Sequence, residues 1–438
     1  MRIATLCPFL FGALACGGSA KTVAPAAKSG AAEANTPAVS TPREITQTDV
    51  LAPYLATASE SRELPPLGPI VGERVSREQM IAKVRAHVDA EVPPEEIERE
   101  EIDMALFGLI PPDYKYKEGF FKLLESELAG VYIPTDKRLY YSSDLGGGES
   151  ETIVHELTHA LHDQHFSLGD KMAALKGKGD AGFGLQVLAE GDATYTGLQA
   201  EIKKRLGAAA ANFPMSQLRG LMQQGVDASM AKLDAPQAMK KMLAAPYIEG
   251  VTFVSELYQQ GGWQLVNEAW KRPPTTSAQA LDVQKWKSNT PWAALATPVG
   301  PKGFTLDHSE TAGEFGLRMV LEQWVASSAL PVEKLAGFSS GDMSALYRGG
   351  QGEYASATRV SFATSKRVLM RDLTALKGAW LPASGNFRCL ARSAVGPIAI
   401  SQKGFDVVFT AGPATKSDKG WSSKTTCDDA KRWHDAMK

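Results

Sequence analysis

Cysteine is scarce in this chain. Of 438 residues only four are cysteine, at positions 7, 16, 389 and 427. That spacing excludes a CxxC metal cage or redox pair. Charge of either sign is not in excess: 47 basic side chains face 49 acidic ones, for a net charge of −2. Nothing in that balance argues for nucleic acid or an anionic surface as partner, and no nucleic-acid motif is present. Past the N-terminus there is no apolar run long enough for a membrane span. What remains is an ordinary soluble composition, 44% hydrophobic and 22% charged, with a length that allows two or three domains.

The first sixteen residues, MRIATLCPFLFGALAC, read as a targeting segment. Arg2 is its positive start, and Ile3 to Ala15 form an apolar stretch too short to span a bilayer. The small residues before Cys16 resemble a bacterial lipobox, although Ala13 stands where leucine is usual. The expectation is a lipid on Cys16 and an extracytoplasmic protein anchored to the cell envelope, with plain secretion as the alternative. Residues 17–70 are rich in Ala, Pro, Thr, Ser and Gly and lack apolar periodicity, so they read as a disordered tether. With Cys7 and Cys16 assigned to this leader, Cys389 and Cys427 are left to pair in an oxidising compartment, a bridge worth roughly 3–4 kcal/mol.

Histidine is also rare, seven in all, yet four of them fall within residues 154–166, VHELTHALHDQHF. This stretch contains HExxH: His155, Glu156 and His159. On a helix, four residues turn about 400°, which leaves the two imidazoles about 40° apart on one face. Two ring nitrogens can then reach one ion at about 2.0–2.1 Å. Glu156 lies about 100° round from His155, placed to reach a water on the ion. Two neutral nitrogen ligands, an open position and an adjacent base are what a zinc hydrolase requires. Val154, Leu157, Ala160 and Leu161 give the helix an apolar side to bury.

Two residues compete as third ligand. His165 has the spacing of the pattern HExxHxxGxxH, but the position of its glycine holds His162. If the helix continues, His165 is about 15 Å along the axis from His155 and out of reach. Glu190, in LAEGDAT on the next expected helix, would complete a His₂Glu set and is the better candidate. His162 either lines the cleft or is a buried histidine satisfied by a backbone carbonyl. Asp163 and Asp192 are possible acceptors for a ligand imidazole N–H, with capping or surface roles as the default.

HELTHALHDQHF followed by EGDAT resembles a family of bacterial secreted or lipid-anchored zinc metallopeptidases of the gluzincin kind, whose signature runs close to VHELTHALQDQHF with EGDA or EGEA some thirty residues on. The resemblance extends to ELAGVYIPTDKRLYY (127–141), PYIEG (246–250), GGWQLVNEAWKRPPTTSAQ (261–279) and GEFGLRMVLEQW (313–324), about residues 75–330 in all. It implies zinc on His155, His159 and Glu190 with Glu156 as base. The chain departs from it at His162, where Gln is usual, and at Thr194, where thermolysin-like enzymes carry an Asp four residues after the ligand Glu. An oxyanion stabiliser is also needed. Tyr195, Tyr247, His308 and Arg318 are candidates by type, and Tyr247 ranks first because PYIEG lies in a matched segment.

Elsewhere the text predicts helices over 76–90, from about 95, and over 116–129, separated by Pro93-Pro94 and Pro111-Pro112. The acidic run Glu95 to Glu101 reads as a solvated face. Residues 130–143 read as a β-hairpin, either a sheet edge where an extended peptide could add as a strand or a hairpin of the core. Residues 169–184 read as a mobile Gly/Lys-rich link, 185–206 as the Glu190 helix, and 215–270 as helical core. From about 336 the pattern turns strand-like, with one helix over about 364–378. The expected architecture is therefore α+β: a mainly helical zincin-like catalytic domain over 71–335 with a small β-sheet edge, then a small α+β domain over 336–438. The expected activity is hydrolysis of peptide or protein substrates. The rivals are a non-peptidase zinc hydrolase and a non-catalytic binding or scaffold lipoprotein with a structural zinc site.

Overall fold

The computed structural model describes residues 44–45, 50–142, 150–207, 214–325, 331–363, 377, 380–384, 386–392 and 394–437. The leader with Cys16, residues 17–43 and 46–49 of the tether, residues 143–149 before the HExxH stretch and most of the helix expected over 364–378 lie outside the described residues. The chain is mixed α+β, with helix outweighing strand. Among the described residues no helix is long and apolar enough to cross a membrane.

The first described helix, α1 (Ala52–Arg62), corrects the reading of 17–70 as a tether throughout. Leu51, Leu55, Ala58 and Arg62 are all buried. Their spacing, i, i+4, i+7, i+11, puts them on one helix face. Three helices follow: α2 (Arg77–Glu91), α3 (Pro94–Leu106) and α4 (Tyr116–Glu127). Ser76 starts α2 with a reciprocal capping box closed by Gln79, which satisfies two amides that the helix itself cannot. The acidic face of α3 is solvated at Glu95 and Glu98, whereas Glu100 is buried and the part-buried Glu101 pairs with Lys416.

A four-stranded sheet stands beside these helices in the order β1 (Glu44–Ile45), β2 (Val71–Val75), β4 (Arg138–Ser142), β3 (Gly130–Ile133). The predicted hairpin is present: β3 and β4 pair antiparallel, with Tyr132 opposite Leu139. Strand β3 is the edge, and all four of its residues are buried. Against it lies α5 (Ser150–Phe166), the HExxH helix. The apolar side of α5 (Ile153, Val154, Leu157, Ala160, Leu161) packs into one cluster with Leu51, Leu55 and Ala58 of α1 and with Tyr132, Leu139 and Tyr141 of the hairpin.

Residues 169–184, expected as a mobile link, are largely helical instead: α6 (Leu168–Ala173), then the start of α7 (Gly179–Leu206). One of the glycines that suggested mobility, Gly184, serves packing, whereas Gly177 takes a turn at φ 70°. A Cβ on Gly184 would stand 2.7 Å from the Pro274 carbonyl oxygen. Next come α8 (Met215–Met230) and α9 (Gln237–Lys271). Helix α9 is broken by non-helical backbone at Gly261 and Gly262, the latter at φ 58°, a conformation that glycine adopts without a Cβ penalty. Helices α7 and α9 touch backbone to backbone: a Cβ on Gly191 would lie 2.3 Å from the Gly250 carbonyl carbon and oxygen.

Short helices α10 (Ser277–Ala280) and α11 (Val283–Lys287) lead to a larger sheet. Its main path is β5 (Ala293–Ala294), β7 (Ser339–Arg348), β8 (Glu353–Phe362), β12 (Asp406–Ser417), β11 (Ile398–Lys403), β10 (Phe387–Leu390), β9 (Leu381–Ser384). Strand β6 (Thr305–Glu310) pairs with β7, and β13 (Gly420–Ser422) with β12. Two of these strands, β5 and β6, precede residue 336, so the boundary drawn there cuts through the sheet. One hydrophobic cluster also runs from Val75 to Ala414 across that boundary. Helices α12 (Gly313–Trp324) and α13 (Val332–Gly337) bridge the parts, and α14 (Cys427–Ala436) closes the chain. Cys389 and Cys427 form a disulfide that ties α14 to β10.

Candidate metal centre

Three side chains from two helices converge at the centre of the helical part. His155 Nε2 lies 3.0 Å from Glu190 Oε2 and 2.9 Å from His159 Nε2, and His159 Nε2 is 3.5 Å from the same carboxylate oxygen. Donors held about 2.0–2.1 Å from a tetrahedral ion lie about 3.3 Å apart, so the three observed separations bracket that value. All three residues are buried. Glu190 Oε1 is buried with no hydrogen-bond partner among the described residues, an uncompensated oxygen that a cation would satisfy. The group therefore fits a metal ion.

The electrostatics agree with that fit. Burial pushes the His159 imidazole down to about 4, so the ring is neutral at physiological pH and keeps a lone pair for a metal. Burial works to raise the Glu190 carboxyl, but the His159 and His155 rings outweigh it and hold its pKa below the ordinary value. Thr194, on the turn of α7 after Glu190, places its hydroxyl 3.5 Å from His155 Nδ1. A long contact to a neutral hydroxyl thus occupies the place where a carboxylate was looked for.

Glu156 is fully buried on the side of α5 facing β3. Its Oε2 accepts the backbone N–H of Tyr132 at 2.6 Å. Edge strand β3 therefore uses this outward amide to hold Glu156, which corrects the expectation that the edge stands open to a peptide at that point. The Tyr132 hydroxyl donates to Asp163 at 3.0 Å.

Tyr247, on α9, is buried with its ring stacked on His155 at 6.0 Å between centroids. The other three oxyanion candidates are occupied elsewhere. Tyr195 packs against Tyr258 and Trp263. His308 lies on β6 near Glu310. Arg318 pairs with Glu314.

The rest of the motif braces neighbours. His165 does not approach the centre: its Nε2 lies 2.7 Å from the Pro65 carbonyl oxygen. Gln164 bonds the backbone of Leu67 and Gly68. Asp163 accepts the Gly169 amide at the start of α6. His162 is fully buried, with Nε2 3.1 Å from Asp192 Oδ2. Asp163 and Asp192 thus meet groups other than the ligand imidazoles. Arg62, placed in the tether by sequence, is the neighbour that sequence reasoning missed. Its Nε donates to Asp192 Oδ1 at 2.6 Å, with both side chains fully buried. The signal available was the spacing of Leu51, Leu55, Ala58 and Arg62, obscured because the stripe ends in a charge.

A cavity of about 530 Å³ opens between α1, α5 and α7, with Tyr54, Glu151, Val154 and Gly197 in its wall. Glu151 stands one turn before His155 on α5, but none of His155, Glu156, His159, Glu190 and Tyr247 lines this space. The donor set allows a metal ion to be held, and Glu156 follows His155 on the same helix. Comparison with known proteins adds no assignment: no family model, no curated protein and no solved structure matches this chain.

Proposed function

We propose that this protein is a zinc-dependent peptide hydrolase of the gluzincin kind, with a zincin-like catalytic region. On this reading it is carried outside a bacterial cytoplasm by a lipid on Cys16 and acts on peptide or protein substrates. The observation that carries the reading is the meeting of His155, His159 and Glu190 within hydrogen-bonding distance of one another, with Glu156 on the same helix. Two imidazoles and one carboxylate are the donor chemistry of a catalytic zinc site, which keeps its fourth position for water or substrate.

When bound, zinc supplies Lewis acidity, which brings the pKa of water towards 7 and polarises a carbonyl. The chain's own groups do the rest. Glu156 takes the proton released by water and returns it to the leaving amine. The Tyr132 amide fixes that carboxylate's orientation. Tyr247, stacked on His155, is the proposed stabiliser of charge building on the carbonyl oxygen. Burial of the three donors also suits a structural site, but such a site has no use for a base beside it, and Glu156 favours catalysis.

The test is a peptide library on zinc-loaded protein beside Glu156→Gln. The variant should keep its zinc and lose about 10²–10⁴-fold in cleavage. Undiminished cleavage would remove the mechanism. Cleavage of esters but not peptides would favour the non-peptidase hydrolase. Zinc without any hydrolysis would favour the scaffold.

A further inference from the structure

Three consecutive residues of α7 have three separate anchors. Glu190 meets His155 and His159 on α5. Gly191 is in backbone contact with Gly250 on α9. Asp192 is held by Arg62 from α1. The last of these is the least expected, because an arginine with no exposed surface must have its charge matched and its donors placed.

Arg62 is held by three contacts from α7 and α9, with Nη1 left without a hydrogen-bond partner among the described residues. Its Nε donates to Asp192 Oδ1 at 2.6 Å, and its Nη2 donates to Asn267 Oδ1 at 2.7 Å. Its guanidinium lies 4.1 Å above the Trp263 ring, where the negative π-face attracts a cation. Trp263 returns the contact by donating Nε1 to the Ser61 carbonyl at 3.0 Å. The second oxygen of Asp192 accepts Trp270 Nε1 at 2.7 Å. Trp270 in turn packs on His162 and stacks on Phe166, both of α5. The break at Gly261 and Gly262 precedes Trp263, Asn267 and Trp270, the part of α9 that closes over this knot.

We propose that Arg62 is a positioning residue for the metal centre: through Asp192 it sets the rotation of the α7 turn that carries Glu190, so that the N-terminal helix α1 is a working part of the site. This rests on the reading of His155, His159 and Glu190 as metal ligands. Removing the guanidinium leaves a buried carboxylate two residues from Glu190 without its cation. Turning α7 to relieve that carboxylate moves Glu190 against the two imidazoles. Loss of a group that orients a metal ligand typically lowers metal affinity about 10–100-fold.

The experiment uses the full chain and cobalt(II) as probe, reading the visible spectrum and the dissociation constant. Four variants are compared with wild type: Arg62→Met, Arg62→Lys, Asn267→Ala, and Val84→Ala, a core truncation on α2 away from the centre. Arg62→Met should weaken cobalt binding by about tenfold or more and shift the visible bands. Arg62→Lys should recover part of both. Asn267→Ala, which removes only the second anchor, should give a smaller change in the same direction and serves if Arg62→Met does not fold. Val84→Ala should lower thermal stability and leave cobalt affinity and spectrum unchanged. Wild-type affinity and spectrum in Arg62→Met, or in Asn267→Ala where Arg62→Met is unfolded, overturns the proposal. So does equal weakening in Val84→Ala. Wild-type protein that takes up no cobalt overturns the metal-centre reading as well. Hydrolysis is not read, so a missing peptidase activity leaves the result standing.

Discussion

Glu156 on α5 and Glu190 on α7 are both fully buried glutamates, and their surroundings differ. Glu190 sits between two imidazole nitrogens, so its charge is matched only by a cation or by proton sharing with the rings. Glu156 is held by a backbone amide from a neighbouring strand, so its orientation is set without a ligand role. The meeting of Glu190 with His155 and His159 was legible in sequence, because i, i+4 spacing puts both imidazoles on one helix face; the amide that holds Glu156 was not. Arg62 was not legible. Arginine is almost never fully buried unless paired, and the partner that permits it, Asp192, is 130 positions away. No local pattern announces such a pair. Thr194 is a similar case: its contact with His155 depends on how two helices meet.

At the level of elements, the crossing of α7 and α9 decides whether Glu190 and Tyr247 reach the same centre. Both residues at the crossing are glycine, and their backbones touch. Gly191→Ala should therefore separate the helices. A loss of about 1–3 kcal/mol or more is expected from overpacking, read as a lower urea midpoint, together with weaker metal binding. An unchanged midpoint would contradict the close contact. The start of α7 carries a second consequence. Asp180 is buried, accepts the Ser277 amide at 2.9 Å, and leaves Oδ2 without a hydrogen-bond partner among the described residues. Burial, with Asp342 and Glu314 nearby, raises its carboxyl from an ordinary 3.8 to about 7. A raised carboxyl favours the fold at low pH, and that contribution is lost as pH climbs through the folded value. Asp180→Asn stays neutral, so its stability advantage over wild type should grow between pH 4 and 7, to on the order of 1–3 kcal/mol, and then level off. Parallel curves of urea midpoint against pH would contradict it. Gly184 was read with its neighbours as part of a mobile link because a packing glycine and a turn glycine such as Gly177 look alike in sequence.

Across the whole molecule, the helical part and the strand-rich part share one core and one sheet. The sequence pattern placed strand-like text from about residue 336, where β7 to β13 lie, but singled out no run over β7, one of the longest of them. It missed β5 and β6, which are short or largely unburied and carry no alternation of apolar residues. The disulfide between Cys389 and Cys427 was legible because two cysteines remained once the leader was set aside. Helix α1 was lost to composition: its alanines and serines resemble a linker, and only its burial against α5 and α7 makes it an element. With α1 restored, the proposed catalytic part begins some twenty residues earlier than the sequence suggested, and its first helix braces the donors. The central claim is that the three buried donors hold a metal ion. Zinc content measured by mass spectrometry on dialysed wild-type protein and on Glu190→Gln tests it most directly. The account predicts one zinc per chain in the wild type and a small fraction of that in the variant, as expected when a three-ligand site loses its carboxylate; wild-type protein that emerges from dialysis without zinc, or a variant that keeps the full amount, would contradict it.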